Sequence, residues 1–529
     1  MLGSKRSLGG VTVAALAVAM LVGPGSAAAT TICVPAFSAA CPNSGGNVAK
    51  TDVEEAMSFQ GADGTADQVL IAPGTYTEDA AAGFEPPSGS KGSIEPGGSD
   101  PLTIAGAGPG ATILTSNATG NIFLVNLAFN SRAILMRDLT VRIPASFPDG
   151  LGAAFQIDGD TLDNVDIVSR NEGSDGVASA VGTGNVFRNG EIRGESGGSV
   201  DDALRSDFSG GVLLVEDAKV VGASWALQTT GAGSNLVARR VDVVGARTYG
   251  AIVTRGSLTV ENSRLTTDAG VGFYVSASAD AASLTANHVT VVNVGGTNPA
   301  LEMEKSSGAA DAAMSVSNSI LRGFSSGFDV NASAGPGIGH ASLTVRYSNL
   351  SGTGTSSGVL DVATGNIDVN PLLAADLSLP PGSPSVDAGD PAAGGLATDF
   401  LGAARPADGN GDGVARRDQG AFEYQPPAKP PVPVVPAVPP APDTTAPETA
   451  IVKGPGGKLA KGKAKFSFGS SEAGSSFECK LDGRKVARCI SPKRYKHLGA
   501  GRHNFKVWAT DAAGNKDLTP AKRRFTVPS

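Results

Sequence analysis

Two stretches of the chain gather residue types that can do chemistry. The first, SVDDALRSD, holds Asp201, Asp202, Arg205 and Asp207. Three carboxylates and a guanidinium this close can hold Ca²⁺ and place a base beside it, or they can simply solvate a surface. Their position between two sequence repeats places them in a long loop. The second, ADGNGDGVARRD, puts Asp408, Asn410 and Asp412 at positions 1, 3 and 5 of a Ca²⁺ loop, with Gly413 at position 6. Gln419 stands where a bidentate Glu is expected, with Asp418 one residue short. Ca²⁺ is therefore the cofactor expected, in a structural role at the C-terminal end of the fold; the alternative is a Gly/Asp turn. The four His show no metal-binding spacing and support no Ser-His-Asp arrangement. No Gly-rich phosphate loop lies between a strand and a helix.

The elements that position these residues repeat. Segments such as AILMRDLTV, LVARRVDVVG, LTVENSRLTT, LTANHVTVVN and LTVRYSNLSG alternate apolar and polar residues, as strands with one buried face do. They align on a turn position occupied by Asp138, Asn164, Asn189, Asp217, Arg240, Asn262, His288, Asn318 and Tyr347, at intervals of 22 to 30 residues. Repeats of this length mean a solenoid. Two residues before the turn, every coil from Met136 to Val345 is apolar; three residues after it, so is every coil from Val141 to Leu350. One coil cannot fold alone, but stacked coils bury both columns. Asn and Asp tolerate the left-handed backbone that a sharp bend requires. Gly194, Gly222, Gly245, Gly323 and Gly352, five residues past the turn, close the next corner, and His288 is a turn residue rather than a ligand. The residue before the turn alternates in charge (Arg137, Asp163, Arg188, Glu216, Arg239, Glu261), which favours a surface ion-pair ladder over a ligand groove. A Thr51–Glu54 capping box opens a short helix near 51–60 whose Val53, Ala56 and Met57 plug the N-terminal mouth. With 71 Gly and 5% aromatics, long helices are disfavoured and short strands favoured.

The ends carry different information. Lys5, Arg6, an apolar run from Val11 to Val22 and Ala27-Ala28-Ala29 read as a secretory signal peptide over residues 1–29. No later stretch is apolar enough to span a membrane, so the expectation is a secreted, extracellular protein, held at the cell surface or free. The four cysteines fit an oxidising compartment, and their spacing favours Cys33–Cys41 and Cys479–Cys489 over a zinc site. Residues 425–444 are Pro-rich and predict an extended linker. From Glu448 onward, 18 Lys and Arg face 6 Asp and Glu, whereas the remainder of the chain carries a net charge of −20. The basic tail suits a polysaccharide or anionic cell-envelope polymer, or is a solvated surface; nucleic acid is not expected, because stacking aromatics are few.

Residues 69–78 (VLIAPGTYTE) and 102–114 (LTIAGAGPGATIL) resemble the opening of pectin-lyase-like β-helix proteins of secreted bacterial type. DVNPLLAADLSLPPGSPSVDAGDP and RRDQGAFEY resemble their closing segment. The resemblance covers residues 33–424 and implies an all-β, right-handed, single-stranded parallel β-helix domain over residues 30–424. DTTAPET, SFECKLDG and WATDAAGN resemble small bacterial immunoglobulin-like modules, implying an Ig-like β-sandwich over 445–529 with Phe466, Phe468, Phe477, Phe505, Val507, Phe525 and Val527 as core. Relatives that cleave polyuronates use clustered Asp for Ca²⁺ and an Arg or Lys base, a pattern that falls here on Asp201, Asp202, Arg205 and Asp207. The Asn-Thr-Asp and Gly-His-Gly triplets of pectin hydrolases are absent. The function expected is therefore structural, adhesive or polysaccharide-binding, the alternative being a secreted lyase or hydrolase of acidic glycans.

Overall fold

The computed structural model describes residues 29–57, 64–78, 100–116, 123–127, 133–145, 153–170, 175–179, 182–195, 200–305, 308–333, 339–362, 364–392, 394–427, 441–459 and 462–529. They fall into two compact units, one ending at Ala428 and one beginning at Lys429. The expected signal peptide, most of the Pro-rich linker and the end of the capping helix lie outside the described residues.

The first unit is the expected parallel β-helix. Successive coils pair in parallel register through one large sheet and one smaller sheet, and no antiparallel strand pair interrupts either among the described residues. The register reproduces the sequence columns. Leu162 pairs with Met136 and with Phe187, and the chain of partners continues through Val215, Ala238, Val260, Ala286 and Val316 to Val345. All of these side chains are fully buried, and the second column from Val141 to Leu350 is buried throughout. All nine turn residues have φ between 45° and 59°. That bend separates the two strands that each coil adds to the large sheet, so the apolar columns on either side both face inward.

Side chains in the turn column bond from coil to coil. Asn164 Nδ2 donates to Asp138 Oδ1 at 2.7 Å, and Asn318 Nδ2 to Asn287 Oδ1 at 2.9 Å. The charge ladder forms in part: Arg188 meets Asp163 at 2.8 Å, and Arg239 lies between Glu216 at 3.7 Å and Glu261 at 3.0 Å. Being half-exposed, each such pair is worth a few tenths of a kcal/mol. The capping helix spans Val53–Met57 and buries Val53, Ala56 and Met57 in the first coils. Its cap is one residue later than expected: Asp52 Oδ1, rather than Thr51, accepts the N–H of Glu55 at 2.6 Å. A carboxylate complements the positive helix terminus better than a hydroxyl does.

Residues 368–424 form a strap with no strands, laid along the side of the stack over the turn column. Asn349 Nδ2 donates to Ser385 Oγ, Asn318 Oδ1 accepts from Asp390 N, and His288 Nδ1 lies 3.1 Å from the carbonyl of Asp418. Arg405 Nη1 donates to Asn262 Oδ1, and its Nε lies 2.9 Å from Glu423 Oε2 in a fully buried ion pair. Arg264 stands over the ring of Phe400 at 5.1 Å.

The second unit has a three-stranded and a five-stranded sheet, antiparallel except for one short edge pair. The expected core residues are buried there, save Phe477, which packs partly exposed at its margin. Phe466 and Phe505 stack with centroids 4.0 Å apart. Both expected disulfides are present: Cys33–Cys41, and Cys479–Cys489 across neighbouring antiparallel strands.

Two outcomes test the attachment of the strap. Asn318→Gly keeps the bend but removes two buried hydrogen bonds, lowering stability by about 2 kcal/mol in urea titration; Asn318→Ala, strained at this φ, loses about 1 kcal/mol more. Burial, with Arg405 and Arg417 adding to it, pushes the His288 imidazole well below its ordinary value. A depressed value contributes stability that is present above the unfolded pKa and is lost as pH falls. His288→Asn, which accepts the bend, is therefore expected to gain on the wild type by up to about 1.4 kcal/mol for each pH unit below roughly 6.5.

Candidate functional site

Asp201, Asp202 and Arg205 lie on a strand, Val200–Ser206, of the smaller sheet, not on a loop. The register explains why. Val200 pairs with Ala223, Asp202 with Trp225 and Leu204 with Leu227, so Val200, Ala203, Leu204 and Ser206 fill buried positions. Asp202, Ala203 and Leu204 are buried in succession, so the segment shows no period of two in sequence.

The outer face of that sheet presents side chains in rows that cross the strands. One row reads Asp202, Trp225, Tyr249. The next reads Arg205, Gln228, Ile252, Tyr274, Glu302, Asp329. In a third, Ser276, Glu304 and Asn331 follow one another. The rings of Trp225 and Tyr249 lie 6.5 Å apart, and those of Tyr249 and Tyr274 lie 4.8 Å apart. All three are half-buried and form a short aromatic band.

Charged groups bracket the band. At one end Arg205 Nη1 meets Asp202 Oδ2 at 2.8 Å and Nη2 meets Asp207 Oδ2 at 3.1 Å. With its amide turned to donate, Gln228 also reaches Asp202 Oδ2 at 2.8 Å. Asp202 is buried, and burial pushes the Asp207 carboxyl up despite Arg205. At the other end the Tyr274 hydroxyl donates to Glu304 Oε2 at 2.7 Å, and Thr355 Oγ1 donates to Asp329 Oδ1 at 2.6 Å. Glu302 is pushed up by burial, then by the charges of Glu304 and Asp329. Four strand spacings, roughly 19 Å, separate the two ends. Arg205 is thus held between two carboxylates. A second cleft of about 370 Å³ lies beside the strap at Phe400, but its charges pair with one another, as in Arg240–Asp217 and Lys219–Glu191.

The second sequence candidate belongs to the strap, not to the end of the stack. Asp408 Oδ1 and Oδ2 accept the N–H groups of Gly411 and Gly413 at 2.8 and 2.9 Å, and Asn410 Oδ1 accepts that of Asp412 at 2.8 Å. Asp412 Oδ1 accepts from Val414 N, and Oδ2 pairs with Arg416 at 2.9 Å. These oxygens accept N–H groups of the loop itself. Asp418 is buried away from the loop, with its oxygens on the N–H groups of Asp387 and Tyr424 and its carboxyl pushed up to about 7, by burial first and then by Glu423. Carboxylate oxygens do converge in the second unit, where Asp443, Glu472 and Asp511 each place one within 4.8 Å of the others, a spacing that can hold a divalent cation.

The ion triad supplies a pH test. Arg205→Ala removes the cation 3.1 Å from Asp207, which raises that carboxyl's folded value further. A raised carboxyl contributes stability below its unfolded value and loses it as pH rises. The variant is expected to lose more at pH 8 than at pH 5, by about 1–3 kcal/mol, in thermal or urea unfolding.

No protein-family model and no curated protein matches the chain. Among solved structures, it is similar to the Azotobacter vinelandii mannuronan C-5 epimerase AlgE4 A-module, at 15% identity over 57% of this chain and 89% of that one, with a TM-score of 0.28. It is similar to pectate lyase Pel9A at 14% identity over 75% of this chain and 97% of that one, with a TM-score of 0.39. It is similar to the PL6 family alginate lyase AlyGC at 12% identity over 75% of this chain and 58% of that one, with a TM-score of 0.31. At such identities and TM-scores these likenesses carry no activity across, and the fold stands on the strand register.

Proposed function

We propose that the solenoid binds a polysaccharide chain along the outer face of its smaller sheet, outside the cell. The observation that carries this is the band of Trp225, Tyr249 and Tyr274, bracketed by carboxylates. Aromatic rings offer the apolar face of a sugar a flat, rigid platform, while carboxylates, Gln228 and Arg205 meet its hydroxyls. The face is acidic: Asp202, Asp207, Glu302, Glu304 and Asp329 outnumber Arg205. A neutral glycan therefore fits it better than the polyuronate that a lyase requires. The apolar N-terminus and two disulfides support export.

Hydrolysis of the bound chain is a second reading, and the raised values of Glu302 and Asp207 favour it. A carboxyl with a raised value is the better proton donor to a glycosidic oxygen, while a neighbouring carboxylate serves as base or nucleophile. Elimination is less favoured, because Arg205 is tied up by two carboxylates.

The test is affinity electrophoresis of the full chain against neutral and acidic polysaccharides, with reducing ends followed in parallel. Trp225→Ala and Tyr249→Ala are each expected to weaken binding of a neutral glycan about tenfold. New reducing ends lost in Glu302→Gln, at a rate that falls as pH rises through the raised value, would support hydrolysis. Unchanged binding after both aromatic substitutions would overturn the site.

A further inference from the structure

The five-stranded sheet of the second unit gathers lysine and arginine side chains on its outer face. Its middle strands, Ser476–Leu481, Gly501–Thr510 and Ala521–Val527, are antiparallel neighbours. Lys480 pairs directly with Lys506, and Lys506 directly with Lys522. Cys479, Leu481, Phe505, Val507, Phe525 and Val527 fill the core, so by strand alternation the three lysines share the opposite face. Arg524 stands opposite Asn504, Arg502 opposite Thr526, and Lys458 beside Thr526 on the edge strand. Beside them is a cleft of about 420 Å³, lined by Arg502, His503, Asn504 and Arg524 among others.

The nearby acids are already engaged. Glu478 pairs with Lys516, while Asp482 lies 2.7 Å from His503 Nδ1 and accepts the N–H of Asn504. Among the described residues, Lys480, Lys506, Lys522, Arg502 and Arg524 take part in no ion pair. Like charges directly opposed across strands destabilise a sheet. Three in one register are unfavourable for folding and favourable for a ligand of opposite charge.

We propose that this face binds a linear acidic polysaccharide carrying one carboxylate per sugar, running across the strands. The lysines step at about 4.8 Å, close to the interval at which a 1,4-linked uronate chain repeats its charge. The rows carry no aliphatic side chain to enter a lipid surface. Their one aromatic, Trp508, lies under Lys516 at 5.8 Å, so successive bases of a nucleic acid find no platform. The site is independent of the solenoid face, which is acidic and suits a different polymer.

The probe is polygalacturonate, titrated against the full chain at several salt concentrations. Lys506→Gln is expected to weaken binding about threefold, and Lys480→Gln, Lys506→Gln and Lys522→Gln together about thirtyfold, with a shallower salt dependence. Relief of repulsion should leave the unfolding temperature of Lys506→Gln unchanged or higher, which separates lost contact from lost fold. Trp225→Ala with Tyr249→Ala should bind polygalacturonate as the wild type does, so failure of the solenoid reading would not mimic failure here. The proposal is overturned by wild-type affinity in the triple variant, or by duplex DNA or polyphosphate binding as tightly as polygalacturonate at equal salt.

Discussion

The structure depends on one bend repeated in register. At nine successive coils a non-glycine residue accepts a left-handed backbone, and that bend turns two apolar columns toward a common interior. Parallel pairing then forces each column to stack on its own kind. A slip of one residue in any coil would carry its whole buried set to the surface. Asn and Asp suit the bend, but Arg240, His288 and Tyr347 occupy it as well. At those coils the backbone of the neighbours dictates the conformation, and the side chain is recruited for something else: Arg240 for a bidentate pair with Asp217, His288 for the strap.

The same regularity builds the candidate site. Because coils stack in register, residues one coil apart in sequence become neighbours on the surface. Trp225, Tyr249 and Tyr274 are 24 and 25 residues apart in the chain, yet they form one band. Two carboxylates raised by burial sit at opposite ends of it: Glu302 beside the buried Leu301 on its strand, and Asp207 one residue past the strand that buries Leu204. The rigid core thus fixes the spacing of groups that never approach one another along the chain.

The large-sheet columns, the turn residues and both disulfides were legible because period and spacing state them directly. Asp202 and Arg205 were legible as chemistry but misplaced, since the buried positions around them, with Asp202, Ala203 and Leu204 in succession, follow no period of two. The aromatic band is illegible for a different reason: Trp225, Tyr249 and Tyr274 lie outside the aligned columns and become neighbours only through the stacking of coils. Glu302 and Asp329 carry no local motif at all. The loop at Asp408 was legible as a shape, but sequence cannot show that its oxygens turn onto its own N–H groups. The strap lacks any period, and its partners lie up to 143 residues away, as for Arg405 and Asn262.

The strap also bears on how such a molecule can change in length. A solenoid tolerates gain or loss of whole coils, because each touches only its neighbours. Here one segment is fastened to four coils, at Asn349 through Ser385, Asn318 through Asp390, Asn262 through Arg405 and His288 through Asp418. Inserting or deleting a coil between those positions would throw these attachments out of step, while among the described residues no hydrogen bond ties the strap to a coil ahead of Asn262. The strap therefore acts as a ruler: it holds the C-terminal part of the stack to a set number of turns and leaves the N-terminal part free to lengthen or shorten by descent.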